Sequence, residues 1–220
     1  MNNLIHIYYI RQAEKLSEEV FQQFLFQLPN AMQQDIANYK HWQSAQASLL
    51  GKIILQYGFR QLQINHSLEE LKTTEKGRPF INSEIDFNIS HSGAFIICAI
   101  ATKNKVGIDI EKHRILKQDI AEKYFTQEEQ TFIAHSQNPT SAFFDLWAIK
   151  ESAIKCDGRG VEILKETSIL LPVSSQGYVK SPAAPFYYTQ LQISEGYSTA
   201  VSSPAVFEVA IAQLLLTDLG

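Results

Sequence analysis

Residues 87–111 read FNISHSGAFIICAIATKNKVGIDIE, a pattern that predicts strands separated by short turns. The last of these strands, residues 106–111, alternates apolar and acidic residues as VGIDIE. Because successive side chains of a strand point to opposite faces, we expect Asp109 and Glu111 to lie side by side, with the neighbouring isoleucines in the core. The chain therefore carries two carboxylates on one face of a strand.

A second stretch, WAIKESAIK at residues 147–155, predicts a helix. Trp147, Glu151 and Lys155 recur at every fourth position and so lie on one stripe of that helix. The residues before it are unusually aromatic, which predicts that the helix packs into the body of the protein and that its polar stripe faces something specific. Three carboxylates and one lysine on two rigid elements are suited to hold a hard cation and to act on a phosphate.

Both features also have ordinary explanations. Acids that alternate with isoleucine are typical of a half-buried strand whose polar face meets water. A Glu–Lys pair at i,i+4 is a common surface ion pair worth only about 0.2–0.5 kcal/mol. Against this, two acids on one face repel each other, and a divalent cation relieves that repulsion. Mg²⁺ takes oxygen ligands, typically one or two carboxylates together with substrate phosphates and water.

The ordered set of motifs resembles the 4′-phosphopantetheinyl transferases of the long, surfactin-synthetase-activating type. The family pattern is a strand ending in Ser-His-Ser, a G-[IV]-D-[IV]-E strand and a W-x-x-K-E-[AS]-x-x-K helix. Here NISHSG, VGIDIE and WAIKESAIK follow in that order, and the resemblance covers nearly the whole chain. It implies an α+β fold of two similar, pseudo-symmetric halves, each a small, mostly antiparallel sheet packed with helices, with the active site between them.

The resemblance also implies that the two halves have different functions. Residues 1–105 form the N-terminal half with contacts to the phosphates of coenzyme A, and residues 106–220 form the half with the metal-binding strand and the catalytic helix. The implied reaction transfers the 4′-phosphopantetheine arm of coenzyme A to a serine of an apo acyl or peptidyl carrier protein and releases 3′,5′-ADP. The carrier's pathway stays open among fatty-acid, polyketide, nonribosomal-peptide and lysine-pathway carriers.

The resemblance assigns roles to the acidic residues and the lysine. Asp109, Glu111 and Glu151 are expected to hold Mg²⁺. Glu151 is also the candidate general base for the incoming serine, and Lys155 the candidate that neutralises or protonates the leaving phosphate. Both Glu151 and Lys155 are therefore predicted to be catalytic.

Three further residues are implied to contact coenzyme A. Arg78 lies in a Gly-Arg-Pro turn and is expected to reach a phosphate, although by itself it has the features of a solvated turn arginine. Ser90 and His91 are expected at a strand end beside a cleft, with the histidine near the 3′-phosphate. A lone histidine is more often a satisfied polar side chain, so its position within NISHSG decides for the phosphate role.

The chain departs from the family pattern where the N-terminal half usually carries basic residues. At those positions stand Ala31, Gln34 and Ala47. Nearby residues that are able to compensate are Lys40, His41 and Lys52. This departure favours, as an alternative function, a non-catalytic module that binds coenzyme A or a carrier protein. A third alternative, a magnesium-dependent phosphohydrolase of another family, leaves the NISHSG segment unexplained.

Composition limits the remaining classes of function. The net charge of −4 argues against a nucleic-acid partner, which requires a basic face. Cys98 and Cys156 have neither metal-type spacing nor the pattern of a disulfide framework. No apolar run is long enough to span a bilayer, and the first residues predict a strand instead of a signal peptide. We expect a cytoplasmic protein without a membrane partner, and the resemblance implies a monomer.

Local patterns predict further elements. Ser17 is expected to be a helix N-cap, and residues 31–57 to form one long helix that Gly58 ends. The segment TQEE from Thr126 predicts a capping box. Residues 207–216 are compatible with either a strand or a helix.

Overall fold

The computed structural model describes residues 3–82, 84–115, 118–182 and 184–220, which form an α+β fold with two main sheets. The strands of the N-terminal part are β1 (Leu4–Arg11), β2 (Lys72–Thr73), β3 (Pro79–Phe80), β4 (Asp86–Ser92) and β5 (Phe95–Ala101). Those that follow are β6 (Gly107–Lys112), β7 (Ser168–Ile169), β8 (Gln176–Lys180), β9 (Phe186–Gln190), β10 (Tyr197–Ser203) and β11 (Glu208–Leu214). The α-helices are α1 (Glu18–Leu25), α2 (Asn30–Ala37), α3 (Trp42–Gln61), α4 (Gln118–Tyr124), α5 (Gln127–His135) and α6 (Pro139–Asp157).

The strand order divides the protein into two sheet-containing halves. The first sheet has the order β11-β1-β5-β4 and the second the order β6-β10-β9-β8-β7, while β2 and β3 form a short hairpin. All described pairings are antiparallel except that of β11 with β1. The prediction of an α+β fold with two mostly antiparallel sheets is therefore confirmed.

The last strand of the chain belongs to the first sheet. Residues 207–216, which local pattern left open, contain β11, and β11 pairs in parallel with β1 from Leu4 and Glu208 onward. The division of the chain at residue 105 stays a prediction, and this strand from the range 106–220 completes the sheet of the other half. None of the described helices is long and apolar enough to cross a bilayer.

The helical region after α1 differs from the prediction. Ser17 caps α1 as expected, with its side chain accepting the N–H of Val20. The single helix predicted over residues 31–57 is wrong, because α2 ends at Ala37 and α3 begins at Trp42, after an extended His41.

The prediction that Gly58 ends this helical region is also wrong, because α3 continues to Gln61. A Cβ at Gly58 would collide with Ile100 of β5 and press on the ring of Tyr8 of β1. The glycine therefore permits close packing of α3 on the first sheet and does not act as a stop signal.

Helix α6 packs on the second sheet at backbone distance. A Cβ added at Gly107 of β6 would collide with the carbonyl oxygen of Ser152 and the backbone of Cys156, so only glycine allows this approach. The hydroxyl groups of Ser152 and Ser202 are hydrogen-bonded at 2.7 Å across the same contact. These small residues bring the polar stripe of α6 against the acidic face of β6.

A buried ion pair holds the other side of α6. The predicted capping box is confirmed, since Thr126 and Glu129 exchange side-chain and backbone hydrogen bonds at the start of α5. The Glu129 carboxylate also accepts the N–H of Ile169 at 2.9 Å and the ammonium of Lys150 at 2.8 Å. Lys150 is fully buried and donates a further bond to the carbonyl oxygen of Tyr124. One carboxylate therefore joins α5, α6 and β7.

The two sheets meet through a polar zipper between β4 and β6. Four side chains of β4, at every second position, each accept one backbone N–H of the segment that contains β6. The pairs are Asp86 with Val106, Asn88 with Ile108, Ser90 with Ile110 and Ser92 with Lys112. The donor–acceptor distances run from 2.7 to 3.4 Å. Side chains thus replace the strand–strand ladder where the two sheets join.

Replacement of Asn88 by alanine tests the zipper. Asn88 is buried, so its loss leaves the N–H of Ile108 without an acceptor, and we expect the free energy of unfolding to fall by about 1–3 kcal/mol. Urea unfolding measures the change, with the exposed Asn38→Ala as a matched control expected within about 0.5 kcal/mol of the parent. Equal values for the two variants would contradict the role of the zipper.

Candidate active site

Asp109 lies at the centre of the polar cluster between the sheets. It is 3% exposed, and its Oδ1 accepts the Lys155 ammonium at 2.6 Å and the Ser90 hydroxyl at 3.0 Å. Its Oδ2 is buried and has no hydrogen-bond partner among the described residues. One oxygen of this carboxylate is therefore bonded to α6 and β4, and the other makes no hydrogen bond within the described residues.

Glu111 follows on the same face of β6 and is less buried. Its Oε2 accepts the guanidinium of Arg114 at 3.1 Å and the hydroxyl of Ser92 at 3.4 Å. Burial, followed by the charge of Asp109, raises the pKa of Glu111, while Arg114 and Lys155 oppose that rise. The strand thus presents two carboxylates, each beside one cation and one serine.

Glu151 completes the acidic group from α6. Burial is the main cause that raises the pKa of Glu151 to about 7, and the charges of Asp109 and Glu111 add to it while that of Lys155 opposes it. Glu151 makes no hydrogen bond or ion pair within the described chain. A carboxyl with this pKa exchanges its proton near neutral pH, as a general base requires.

Ser90 and His91 face different surroundings. The Ser90 hydroxyl donates to Asp109 and accepts from Lys155 at 3.1 Å and from the backbone of Ile110 at 3.4 Å, so its hydrogen bonds are used within the protein. His91 is solvent-exposed and makes no hydrogen bond among the described residues. Desolvation lowers the pKa of His91, and the charge of Lys155 lowers it further against the effect of Asp109. Both effects favour the uncharged form of its imidazole.

Arg78 does not have the free position expected of a turn residue. Its guanidinium makes a bidentate pair with Asp86 at 2.8 and 2.6 Å and donates to the carbonyl oxygens of Lys155 and Val106. Its side chain is 12% exposed, and one N–H of Nη1 is left without a partner in the described part of the chain. Arg78 therefore ties the β2–β3 hairpin to β4, β6 and α6, and a phosphate contact by Arg78 stays a prediction.

The structure thus brings most of the predicted site residues together. Ser90, Asp109 and Lys155 are hydrogen-bonded to one another. Glu151 is close enough to Asp109, Lys155 and Glu111 for their charges to shift its pKa. Sequence reasoning missed the residues that orient them, namely Asp86, Asn88, Ser92 and Arg114. A signal for three of these was present, because D-F-N-I-S-H-S alternates polar and other residues along one strand.

The donor set fits a hard divalent cation in chemistry. Asp109, Glu111 and Glu151 offer oxygen ligands, and the buried Oδ2 of Asp109 has no other partner in the described chain. No group of three or more His, Cys, Asp and Glu side chains is already arranged as a metal site within residues 3–82, 84–115, 118–182 and 184–220. Lys155 and Arg114 instead balance the charges of Asp109 and Glu111.

Comparisons with known proteins agree with this architecture. Residues 105–202 match the family model of the 4′-phosphopantetheinyl transferase superfamily, and residues 15–103 match that of the 4′-phosphopantetheinyl transferase N-terminal domain. The chain belongs to the 4′-phosphopantetheinyl transferase superfamily.

Its similarity to individual relatives extends over most of its length. The chain is 30% identical to the 4′-phosphopantetheinyl transferase gsp of Aneurinibacillus migulanus, over 98% of this chain and 94% of that protein. It is 32% identical to the 4′-phosphopantetheinyl transferase Sfp of Bacillus subtilis, over 89% of this chain and 90% of that protein. The chain is thus similar to the surfactin-activating type, as its motifs predicted.

The raised pKa of Glu151 predicts a pH-dependent effect of Glu151→Gln. The native pKa of about 7 exceeds the ordinary value of 4.5, so the folded state binds this proton more tightly and the parent protein loses stability as pH rises between these values. Relative to the parent, the variant should gain stability between pH 4.5 and 7 and keep the gain above it.

Urea unfolding from pH 4 to 8 in chelator measures this difference. The matched control is Glu195→Gln, which removes one carboxylate at an exposed position. A difference between Glu151→Gln and the parent that does not change with pH would contradict the raised pKa.

Proposed function

We infer that this protein transfers the 4′-phosphopantetheine arm of coenzyme A to a serine of an apo acyl or peptidyl carrier protein and releases 3′,5′-ADP. The observation that carries this conclusion is the cluster of Ser90, Asp109 and Lys155, joined by Glu111 and Glu151, in a chain of this family. A cluster of carboxylates with one lysine suits phosphoryl chemistry better than binding alone, because a binding module has no need of acids whose charges repel one another.

The reaction forms one bond and breaks one. The serine oxygen of the carrier bonds to the β-phosphorus of coenzyme A, the bond from that phosphorus to the bridging oxygen breaks, and the bridging oxygen leaves with the nucleotide. Negative charge develops on the leaving phosphate, and Lys155 is the cation proposed to neutralise it. Its side chain is 29% exposed, so its ammonium is accessible to a ligand while it rests on Asp109.

Glu151 is the proposed general base. It takes the proton of the incoming serine hydroxyl, a role that suits its pKa of about 7 in the metal-free protein, and bound Mg²⁺ would lower that pKa. Asp109, Glu111 and Glu151 are the residues that would hold Mg²⁺, which supplies Lewis-acid stabilisation of phosphoryl charge when bound. Ser90 and Ser92 orient the first two of these carboxylates.

His91 and Arg78 are the proposed contacts to coenzyme A beyond the reacting phosphates. His91 offers an unused imidazole beside Lys155, and Arg78 holds the carbonyl oxygen of Lys155 with one N–H to spare. Ser90 contributes through Asp109 and Lys155, because its own hydrogen bonds are used within the protein. A monomeric state and a cytoplasmic location stay predictions.

Intact mass spectrometry tests the proposed transfer. A panel of apo carrier proteins is incubated with this protein, coenzyme A and Mg²⁺, and we expect a carrier to gain the mass of one phosphopantetheine arm. The gain should be lost in chelator and in Glu151→Gln. Binding of coenzyme A without transfer to any carrier would favour the non-catalytic binding module, which the departures at Ala31, Gln34 and Ala47 would then explain.

Lys155→Ala should lower turnover more than it lowers affinity for coenzyme A. Loss of the cation removes stabilisation that is strongest in the transition state, and we expect kcat to fall about 100-fold or more. Steady-state kinetics and equilibrium binding separate the two effects, with the exposed Lys165→Ala as the matched control. A normal rate at saturating coenzyme A would remove Lys155 from the mechanism.

A further inference from the structure

A hydrogen-bonded network of three side chains lies beside Glu111. The Ser198 hydroxyl of β10 donates to Asp145 Oδ1 of α6 at 2.5 Å, and Nε2 of His113 lies 2.8 Å from the same hydroxyl oxygen. In the register of β6 with β10, Ser198 is the residue opposite Glu111. Because directly opposed residues of an antiparallel pair point to the same face, the network lies next to the Glu111 side chain.

The direction of these hydrogen bonds follows from the chemistry of the three groups. A carboxylate only accepts, so the single proton of the Ser198 hydroxyl goes to Asp145. The Ser198 oxygen is then the acceptor for His113, which carries a proton on Nε2. Ser198 is buried, so these bonds are shielded from water between α6 and the second sheet. The network therefore holds the imidazole of His113 in one orientation.

His113 is the first residue after β6, and it fixes the chain where that strand ends. Its backbone N–H donates to the carbonyl oxygen of Gly196 at 2.8 Å. Its imidazole is stacked on the ring of Phe144, with centroids 5.2 Å apart and planes 9° from parallel. Phe144 is buried, so this ring is itself held by the core. The next residue, Arg114, therefore starts from a fixed point.

Arg114 reaches back from this point to Glu111. Its Cζ lies 5.5 Å from the centroid of the Phe144 ring, within the range of a cation–π contact, and its Nη1 donates to Glu111 Oε2 at 3.1 Å. The Arg114 side chain is 63% exposed, and an exposed ion pair is weak by itself. The place of this guanidinium consequently depends on the residues that fix its backbone and the ring beneath it.

The two carboxylates of β6 are held in the same manner. Oδ1 of Asp109 and Oε2 of Glu111 are each bonded to one cation and one serine. The remaining oxygens, Oδ2 of Asp109 and Oε1 of Glu111, make no hydrogen bond within the described residues. Partners of this kind orient carboxylates that ligate metals, and their loss typically lowers metal affinity about 10–100-fold.

We propose that His113 is a positioning residue for the metal site. Held by Ser198 and Asp145, it places Arg114 against Oε2 of Glu111 and so directs the other oxygen of that carboxylate toward the divalent cation. The proposal rests on the part of the proposed function in which Glu111 holds a metal ion. His113 acts through Arg114 and touches neither the substrate nor the reacting atoms.

His113→Ala tests the proposal, because this variant keeps the guanidinium and all three carboxylates and changes only how they are held. Mn²⁺ serves as the probe, and the electron paramagnetic resonance signal of free Mn²⁺ measures its binding to the full chain, alone and with coenzyme A. We expect the dissociation constant to rise about tenfold. A rise of less than about threefold, or no binding of Mn²⁺ by the parent protein, would overturn the proposal.

Ser198→Ala and Ser202→Ala separate the network from the general packing of α6. Both variants remove a buried hydroxyl of β10 that is bonded to α6, but only the Ser198 hydroxyl is also bonded to His113. We expect both to lower the free energy of unfolding in urea, and only Ser198→Ala to raise the dissociation constant for Mn²⁺. Equal dissociation constants for the two variants would overturn the proposal.

A double-mutant cycle tests whether His113 acts through Arg114. In the Arg114→Gln background no guanidinium holds Glu111, so removal of the His113 side chain should not change Mn²⁺ binding further. A loss of affinity in this background as large as that in the parent would show that His113 acts by another route, and it would overturn the proposal.

The absence of a carrier protein from these titrations separates the proposal from the proposed transfer. If Mn²⁺ binding weakens as expected while no carrier accepts the arm, the proposed transfer fails and the role of His113 stands. If the arm is transferred while His113→Ala binds Mn²⁺ as the parent does, the role of His113 is overturned and the transfer stands.

Discussion

The structure depends on how two sheet edges satisfy their backbone hydrogen bonds where they meet. β4 and β6 do not pair as strands, and four polar side chains of β4 accept the N–H groups that β6 would otherwise leave unpaired. Side chains keep the two strands further apart than a backbone ladder would, so polar groups fit between the sheets. Ser90 and Ser92 both accept backbone N–H groups of β6 and bond to the carboxylates of Asp109 and Glu111, which they orient. The contacts that join the two halves are therefore also contacts that orient the site.

Helix α6 is the second constraint, because it has to approach β6 closely and with one particular face toward the strand. Gly107 permits the approach, and the buried pair of Lys150 with Glu129 holds the far side of the helix. Breaking a buried pair on one side is costly, so this contact resists rotation of α6. Adjacent residues of the helix consequently have different surroundings. Lys150 faces the core, and Glu151 faces the acidic strand.

The negative charges of the site are not fully balanced by the cations beside them. Three carboxylates share a partly buried space with Lys155 and Arg114, so one acid has no cation of its own. Burial is the main cause that raises the pKa of Glu151 to about 7, and the charges of Asp109 and Glu111 add to it. The same shortage of positive charge supports the proposal that these carboxylates hold a divalent cation together with a pyrophosphate.

Sequence by itself determined the features that depend on local periodicity. The alternation of residues 106–111 placed Asp109 and Glu111 on one face, and four-residue spacing placed Glu151 and Lys155 on one stripe. Only the tertiary structure decided that Asp109 is buried with one oxygen unpaired and that Arg78 is held by Asp86. The reason is physical: burial and pairing arise between residues far apart in the chain, where the packing of α6 and the zipper of β4 fix distances that no local pattern encodes.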